Sequence, residues 1–256
     1  MRRDERLLAA AEADPAFPAV WRLFRFAPHG VTLGRAQDPA RTLDLPRCQA
    51  LAVPWAVRPT GGRAIFHAEE WTYSVTARLD DPCWGGSLAL AYARASQAIV
   101  ESLLLLGVPA RLARAAPADP GPRAAVACFA TTSRHEIVLE GRKLVGSAQR
   151  RTATALLQQG SVLLGEGHHR LADVAAGDEP ARAAVRASLA RARGAAPWLA
   201  PDAPLELWAG ALGRVLSPAR ILVGDAGLAL LAPRATDASR GASDAAPAHD
   251  LPRAFR

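Results

Sequence analysis

The chain has 256 residues, half of them apolar, and a formal net charge of +7. Aromatic residues make up only 5% of it, and no basic stripe alternates with them, so the composition does not favour nucleic-acid binding. The three cysteines form no CxxC pair, which argues against a zinc site and predicts free thiols. We find neither a membrane span of roughly 18–20 apolar residues nor a signal peptide, and therefore expect a cytoplasmic protein, with a monomer as the default.

Taken in chain order, the first half of the sequence predicts a helix, several short strands and a second, longer helix. Residues 4–14 suit the first helix, and residues 87–106 carry apolar side chains at helical spacing up to Gly107. Alternation of apolar and polar residues predicts the strands between these helices. They are expected at 20–26, within 28–37, at 50–59, after the glycines of 60–67, and at 71–77.

The second half begins with a proline-rich loop at 114–125 and continues with short strands. We expect strands near Cys128, at 134–140 and at 155–164, with 140–143 as a hairpin-like turn. From about residue 180 the pattern is helical, and a final strand is expected in the segment AGLALLA. Strands that precede and separate segregated helices predict an α+β fold with a mixed, mainly antiparallel sheet.

The segment RPTGGRAIFH (58–67) predicts a turn with room for a ligand. Adjacent glycines permit positive φ angles and a close approach of the backbone to a bound molecule. Arg58 and Arg63 place two positive charges beside the turn, and His67 ends the strand that follows. The alternative interpretation is an ordinary hairpin turn.

The segment CFATTSRHEIVLEGRK (128–143) places Cys128 and Lys143 on either side of one predicted strand. A thiol and an amine that meet in a pocket can carry out acyl chemistry, because the amine favours the reactive thiolate and can stabilise a developing oxyanion. The alternative is a small core residue and a solvated charge in a turn. The pair His168–His169 alone does not predict a metal site, and His135 is expected to be structural.

Three blocks of this sequence, in the right order, resemble the lipoate–protein ligase and octanoyltransferase superfamily, which shares its catalytic domain with biotin–protein ligases. They are WRLFRFAPHGVTLGRAQ (21–37), RPTGGRAIFHAEEWTYSV (58–75) and GRKLVGSAQRRTATALLQQGSVLL (141–164). The stretch that begins at Cys128 is similar to a cysteine-dependent octanoyltransferase branch. The resemblance implies a catalytic domain over 1–234, with a core at about 4–180 and a helical part at 181–234. Residues 235–256 are expected to form a disordered tail.

The resemblance also implies which residues form the active site. Cys128 would carry the acyl group, and Lys143 would contact the acyl carbonyl. Substrate binding would fall to residues of the second and third blocks: Arg58, Thr60, Gly61, Gly62, Arg63, His67, Gly146, Ser147, Ala148, Gln159 and Gly160. From the strand pattern we further expect Val57, Ile65, Tyr73 and Val75 to line an apolar groove.

The implied reaction moves an octanoyl or lipoyl group from a carrier-protein thioester, through Cys128, to a lysine. Octanoyl-acyl carrier protein would be the donor, and glycine-cleavage H protein or another lipoyl domain the acceptor. Exchange between thioesters is nearly neutral in energy, so no cofactor and no metal are expected. Nucleic acid and membrane are not expected partners.

Two alternatives stay open. An ATP-dependent lipoate–protein ligase would need ATP and Mg²⁺ and would place Lys143 at a phosphate. A non-catalytic member would only bind an acyl chain or a lipoyl domain. The latter is favoured by a departure from the family pattern, because Gln159 stands where the family usually has a histidine, and a glutamine cannot titrate.

Overall fold

The computed structural model describes residues 2–113 and 136–216 with their side chains, and the backbone of 220–224 and 227–231. Helices flank an eight-stranded antiparallel sheet, and a smaller three-stranded sheet lies beside it. The prediction of an α+β fold with a mixed, mainly antiparallel sheet is confirmed.

The large sheet has the strand order β10-β11-β1-β5-β9-β8-β7-β6. Its centre is formed by β5 and β9, which pair over their full length from Glu70↔Leu163 to Arg78↔Ala155. Its strands are β1 Val20–Phe24, β5 Glu70–Arg78, β6 Arg111–Leu112, β7 Ile137–Leu139, β8 Arg142–Arg151, β9 Ala155–Leu163, β10 Arg220–Gly224 and β11 Gly227–Leu231.

The small sheet consists of β2 (Gly30–Leu33), β3 (Trp55–Val57) and β4 (Ile65–His67) in the order β3-β2-β4. Strand β2 runs parallel to β3 and antiparallel to β4. The polypeptide between β3 and β4 is the RPTGG segment, so the small sheet holds both ends of the glycine turn.

Seven α-helices and one 3-10 turn cover the sheets within the described residues. They are α1 Arg2–Ala13, α2 Pro39–Thr42, α3 Leu45–Ala50, α4 Leu88–Leu105, the 3-10 turn Gly167–Arg170, α5 Leu171–Val174, α6 Glu179–Leu189 and α7 Leu205–Val215. Helices α4 and α7 pack together on the large sheet and close the main core around Trp71, Ile99, Leu103 and Trp208. By length and apolar content α4 resembles a membrane span, but its Ala95, Ile99 and Leu103 are buried in this core.

The sequence analysis missed three short helices, α2, α3 and α5. Helices α2 and α3 each start with an aspartate N-cap, Asp38 or Asp44, and have a proline within their first two positions. Both features are recognised helix-start signals, so the information was present in the sequence.

The C-terminal part contributes more than helices. Strands β10 and β11 form a hairpin, and β11 pairs with β1 from Val20↔Leu231 to Leu23↔Leu228. The expected strand AGLALLA is therefore present, and β10 was not foreseen. The expected disordered tail at 235–256 lies outside the described residues and stays a prediction.

Candidate functional site

A small cleft, with a cavity volume of about 20 Å³, opens where the small sheet faces strands β5, β8 and β9 of the large sheet. Both sheets contribute to it, because β2 and β4 supply Thr32, Ile65 and His67, and the middle of β8 and of β9 supplies Gly146 and Gly160. Its lining residues are Phe26, Thr32, Arg58, Ile65, His67, Thr72, Gly146, Ser147, Ala148, Gln159, Gly160 and Ser161.

Arg58 holds the glycine turn in place. Its guanidinium donates to the carbonyl oxygens of Thr32, Gly61 and Arg63 at 2.7–3.2 Å. The side chain is only 5% exposed, so its charge is committed to backbone carbonyls that converge on it. The sequence predicted a positive charge beside a turn that could bind a ligand. In the structure the Arg58 guanidinium lies inside that turn and stabilises it.

Gly34 packs closely against the same glycine turn and restricts its position. A Cβ atom on Gly34 would collide with the carbonyl oxygen of Gly62. Gly62 itself has a φ of +85°, which favours glycine. By contrast, a Cβ on Gly61 would meet nothing within 4 Å. The turn is thus packed on one side and open at Gly61.

One wall of the cleft is a chain of polar side chains through His67. Its Nδ1 lies 2.6 Å from Oε1 of Glu70, and its Nε2 lies 2.6 Å from Oγ1 of Thr32. A carboxylate only accepts, so Nδ1 donates to Glu70, and in the neutral imidazole Nε2 accepts from Thr32. Phe26 stacks on the same ring, with centroids 3.8 Å apart. His67 therefore has structural partners and also lines the cleft.

The opposite wall is backbone-rich. Gly160 packs so tightly that an added Cβ would collide with Cε1 of Tyr73 and lie 2.7 Å from Oγ of Ser147. The Tyr73 hydroxyl lies 2.7 Å from Ser147 Oγ and accepts from Gln158. Burial raises the pKa of Tyr73 to about 12, against these two hydrogen bonds. The small residues of β8 and β9 leave the space that the cleft occupies.

Gln159 stands at the position where the resemblance leads us to expect a histidine. Its Oε1 accepts a 2.8 Å hydrogen bond from Thr60, and its Nε2 donates to Asp4 at 2.6 Å. Thr60 is completely buried. Gln159 thus ties the glycine turn to helix α1, a connection that the sequence did not reveal.

Lys143 is buried rather than solvated. Its Nζ lies 2.6 Å from Oε1 of Glu136, and the two side chains are 4% and 8% exposed. The turn at Glu140–Gly141 precedes it, as predicted, but Lys143 itself belongs to β8. Lys143 does not line the cleft. Cys128 and His135 lie outside the described residues, so the distance between Cys128 and Lys143 stays a prediction.

The structure brings most of the predicted binding residues together. Seven of them line one cleft: Arg58, His67, Gly146, Ser147, Ala148, Gln159 and Gly160. The Thr60 hydroxyl donates a hydrogen bond to Gln159, which lines the cleft. Gly61, Gly62 and Arg63 form the neighbouring glycine turn. The prediction that four apolar residues line the groove is right for Ile65. It is wrong for Val57, which is 39% exposed on β3, and for the core residues Tyr73 and Val75.

Sequence reasoning missed four lining residues: Phe26, Thr32, Thr72 and Ser161. Thr72 and Ser161 both donate to Oε1 of Glu70. Strand alternation could have placed Thr32 and Thr72 on one face of their strands, but not on the same cleft, because they belong to different sheets.

Outside the cleft, Glu166, His168 and His169 bring three potential metal-ligand atoms within 4.8 Å of one another. His168 is buried, and its burial, helped by the charge of His169, lowers its pKa to about 4. A neutral, buried imidazole next to the core fits a structural histidine. The expectation that the protein uses no metal stays a prediction.

Comparison with known proteins identifies the family. The model of the lipoyl protein ligase A/B catalytic domain matches residues 1–194. The chain therefore belongs to the lipoyl protein ligase A/B catalytic-domain family, and the resemblance stated from the sequence is confirmed.

The curated relatives include octanoyltransferases. The chain is 37% identical over 147 residues to octanoyltransferase LipM of Moorella thermoacetica, a match that covers 57% of this chain and 54% of that protein. It is 34% identical over 179 residues to octanoyltransferase LipM of Halalkalibacterium halodurans, covering 68% and 64%. The matched region thus spans a little over half of these relatives.

Solved structures of lower sequence identity share the fold. Lipoate-protein ligase A bound with ATP superposes with a TM-score of 0.64 at 21% identity, covering 84% of this chain and 77% of that chain. The bipartite lipoate protein ligase of Thermoplasma acidophilum, studied with its E2 lipoyl domain, gives a TM-score of 0.63 at 20% identity, covering 85% and 78%. At this identity the likeness concerns the fold.

Proposed function

We propose that this protein is a cysteine-dependent acyltransferase of protein lipoylation, which moves an octanoyl or lipoyl group from a carrier-protein thioester to a lysine. The observation that carries the proposal is the cleft, because it gathers the implied binding residues of two family blocks around one apolar space. The octanoyltransferase relatives support the same reaction.

The cleft suits an acyl chain bound next to a polar group. Phe26, Ile65 and Ala148 offer apolar contact, whereas Thr32, His67 and Ser147 offer hydrogen-bonding atoms. An aliphatic chain gains from leaving water, and the few polar groups can orient its carbonyl end. The open side of Gly61 allows backbone to approach the ligand there.

In the proposed first step, the Cys128 thiolate attacks the thioester carbonyl. A new carbon–sulfur bond forms, the bond to the carrier sulfur breaks, and the carrier leaves as a thiolate that takes up the proton Cys128 had given up. In the second step, the acceptor lysine amine attacks the enzyme thioester, an amide forms, and the Cys128 thiol is released. Each step exchanges one acyl bond for another, so the proposed reaction consumes no ATP and needs no metal.

The proposed partners follow from this chemistry. The donor is octanoyl-acyl carrier protein, and the acceptor is a glycine-cleavage H protein or another lipoyl domain. We place the reaction in the cytoplasm and take the enzyme to be a monomer. Lys143 is proposed to support the charge that develops at the acyl carbonyl. In the structure its ammonium is paired with Glu136 and does not line the cleft, so this role requires the ammonium to move towards the bound acyl group.

The test is to incubate the protein with octanoyl-carrier protein, without ATP, and measure its intact mass. We expect a gain of one octanoyl group that hydroxylamine removes, as a thioester requires. Cys128→Ala should abolish the gain. The other two cysteines supply matched controls, because Cys48 is buried and Cys83 is exposed, and Cys48→Ala and Cys83→Ala should keep the modification.

Other outcomes would select the alternatives. Transfer from free octanoate that requires ATP and Mg²⁺ would overturn the proposal in favour of a ligase. Acyl binding without any covalent modification, with or without ATP, would overturn it in favour of a non-catalytic binding protein.

A further inference from the structure

A buried carboxylate on the first helix is connected to the cleft without lining it. Asp4 belongs to α1 and has no solvent exposure. Its helix packs its apolar face, including Leu7, Leu8 and Ala11, against the large sheet. This packing brings Asp4 to the side of β5 and β9 where Ser74 and Gln159 pair.

Both oxygens of Asp4 have specific partners. Oδ1 accepts from Nη1 of Arg22 at 2.8 Å and from Oγ of Ser74 at 2.8 Å. Oδ2 accepts from Nε2 of Gln159 at 2.6 Å. The arginine compensates the carboxylate charge, so the buried group is both paired and hydrogen-bonded, as a buried charge must be.

The bond from Asp4 fixes which way the Gln159 amide faces. A carboxylate can only accept, so the NH₂ group of Gln159 must point to Asp4 and its carbonyl oxygen to Thr60. The Thr60 hydroxyl then donates to this oxygen at 2.8 Å. Thr60 precedes Gly61 in the turn, and its carbonyl accepts from the backbone NH of Arg35. Hydrogen bonds therefore connect the orientation of the Gln159 side-chain amide to the glycine turn.

We propose that Asp4 is a positioning residue for the cleft, which orients the Gln159 amide so that it holds Thr60 and the glycine turn in the acyl-binding arrangement. Asp4 does not touch the cleft and acts through Gln159. The part of this inference that concerns acylation rests on the proposed function, whereas the part that concerns the turn does not.

Variants that exchange hydrogen-bond donors and acceptors between positions 4 and 159 test the orientation of the Gln159 amide. In Asp4→Asn, an NH₂ group replaces the oxygen that faces Gln159, and two donors then oppose each other, so the Gln159 amide must turn round. In the double variant Asp4→Asn with Gln159→Glu, the introduced amide can donate to one oxygen of the introduced carboxylate, and the Thr60 hydroxyl can donate to the other. The pattern of donors and acceptors is restored, and the negative charge is moved from the helix to the neighbouring strand.

The matched control is Ser74→Ala. It removes a hydrogen bond to Oδ1 of Asp4 but leaves the bond between Oδ2 and Gln159. Any effect that comes only from weakening the buried cluster should appear in this variant too. Thermal unfolding of all variants reports stability separately.

Two measurements are made on each variant of the full chain. Hydrogen–deuterium exchange of residues 58–63 reports the turn, and the rate of octanoyl transfer onto the protein from octanoyl-carrier protein reports the site. We expect Asp4→Asn to speed exchange at 58–63 and to slow acylation by roughly 10- to 100-fold, as misplaced binding groups do. The double variant should return the exchange rate at 58–63 to within about 3-fold of the original, because the two changes are coupled. Its acylation rate is not part of this comparison, because Gln159 itself lines the cleft. Ser74→Ala should leave both nearly unchanged.

The outcomes separate the two proposals. Wild-type protein that is never acylated would overturn the proposed function, and the exchange data would still test the turn. Unchanged exchange at 58–63 in Asp4→Asn would overturn the positioning role. An equal effect in Ser74→Ala, or no recovery in the double variant, would also overturn it, because either result would mean that Asp4 only stabilises the core.

Discussion

Nζ of Lys143 lies 2.6 Å from Oε1 of Glu136, and both side chains are almost excluded from water. Strand β7 and its turn separate the two residues in the chain, and the hairpin places Lys143 opposite Val138, two residues from Glu136. A buried charge without its partner is costly, whereas an apolar pair of similar volume is not. The pair therefore links the stability of this hairpin to a residue that the family resemblance assigns to catalysis.

We predict that Lys143→Met destabilises the protein by about 3–5 kcal/mol, because it removes the ammonium that lies 2.6 Å from the buried Glu136 carboxylate. The double variant Glu136→Leu with Lys143→Met should regain most of that loss in urea unfolding, but not the acyl transfer. An exposed ion pair gives the control, since the partners Glu179 and Arg182 are 64% and 17% exposed. Glu179→Gln should change the stability far less, because an exposed ion pair contributes little. Equal losses at the two sites would contradict the prediction.

Two glycines of the turn should respond differently to alanine. Gly34→Ala drives a Cβ into the backbone of Gly62, and we expect a loss of about 1–3 kcal/mol or more in urea unfolding. Gly61→Ala meets open space, so its stability should stay within about 1 kcal/mol of the original.

Gly61→Ala also reports on the ligand. If the open side of Gly61 faces the acyl group, the added methyl should slow the acylation of the enzyme although the fold is intact. Acylation at the original rate would show that the ligand does not approach this glycine.

The buried Tyr73 predicts a loss of stability at high pH. Burial raises its pKa to about 12, above the value of about 10 for an unfolded chain. Between these values the folded state keeps the proton and the unfolded state releases it, so stability falls as the pH rises through this window. The fall should amount to about 2–3 kcal/mol. In Tyr73→Phe, urea unfolding from pH 9 to 11 should show a shallower slope, and an identical slope would contradict the assignment.

The buried His168 predicts a loss of stability at low pH. Burial is the main cause that lowers its pKa to about 4, below the ordinary value of about 6.5. As the pH falls from 6.5 towards 4, the unfolded chain binds a proton that the folded state excludes, so stability decreases, by about 3 kcal/mol from this residue. His168→Gln should remove much of this acid sensitivity in urea unfolding between pH 7 and 4.5. His29→Gln, at an exposed position, should not.

The amino-acid sequence by itself determined the α+β class, most of the strands and most of the residues that meet in the cleft. Strand alternation and helical spacing report which face of an element is buried, and this local information sufficed for α1, α4, β1, β5 and β9. The resemblance of three ordered blocks then carried Arg58, His67 and the glycines of β8 and β9 onto one site. Two of the missed helices, α2 and α3, had recognisable starts at Asp38 and Asp44.

Only the tertiary structure decided how side chains distant in sequence pair with one another. Glu136 neutralises Lys143, Arg58 braces the turn through carbonyls, and Asp4 orients Gln159 across 155 positions of the chain. The β10–β11 hairpin joins β1 in the same way. A local pattern reports whether a residue is buried, but not which buried partner it meets. That choice depends on how the sheets and helices pack, because a buried polar group must find its partner wherever the fold brings one within hydrogen-bonding distance.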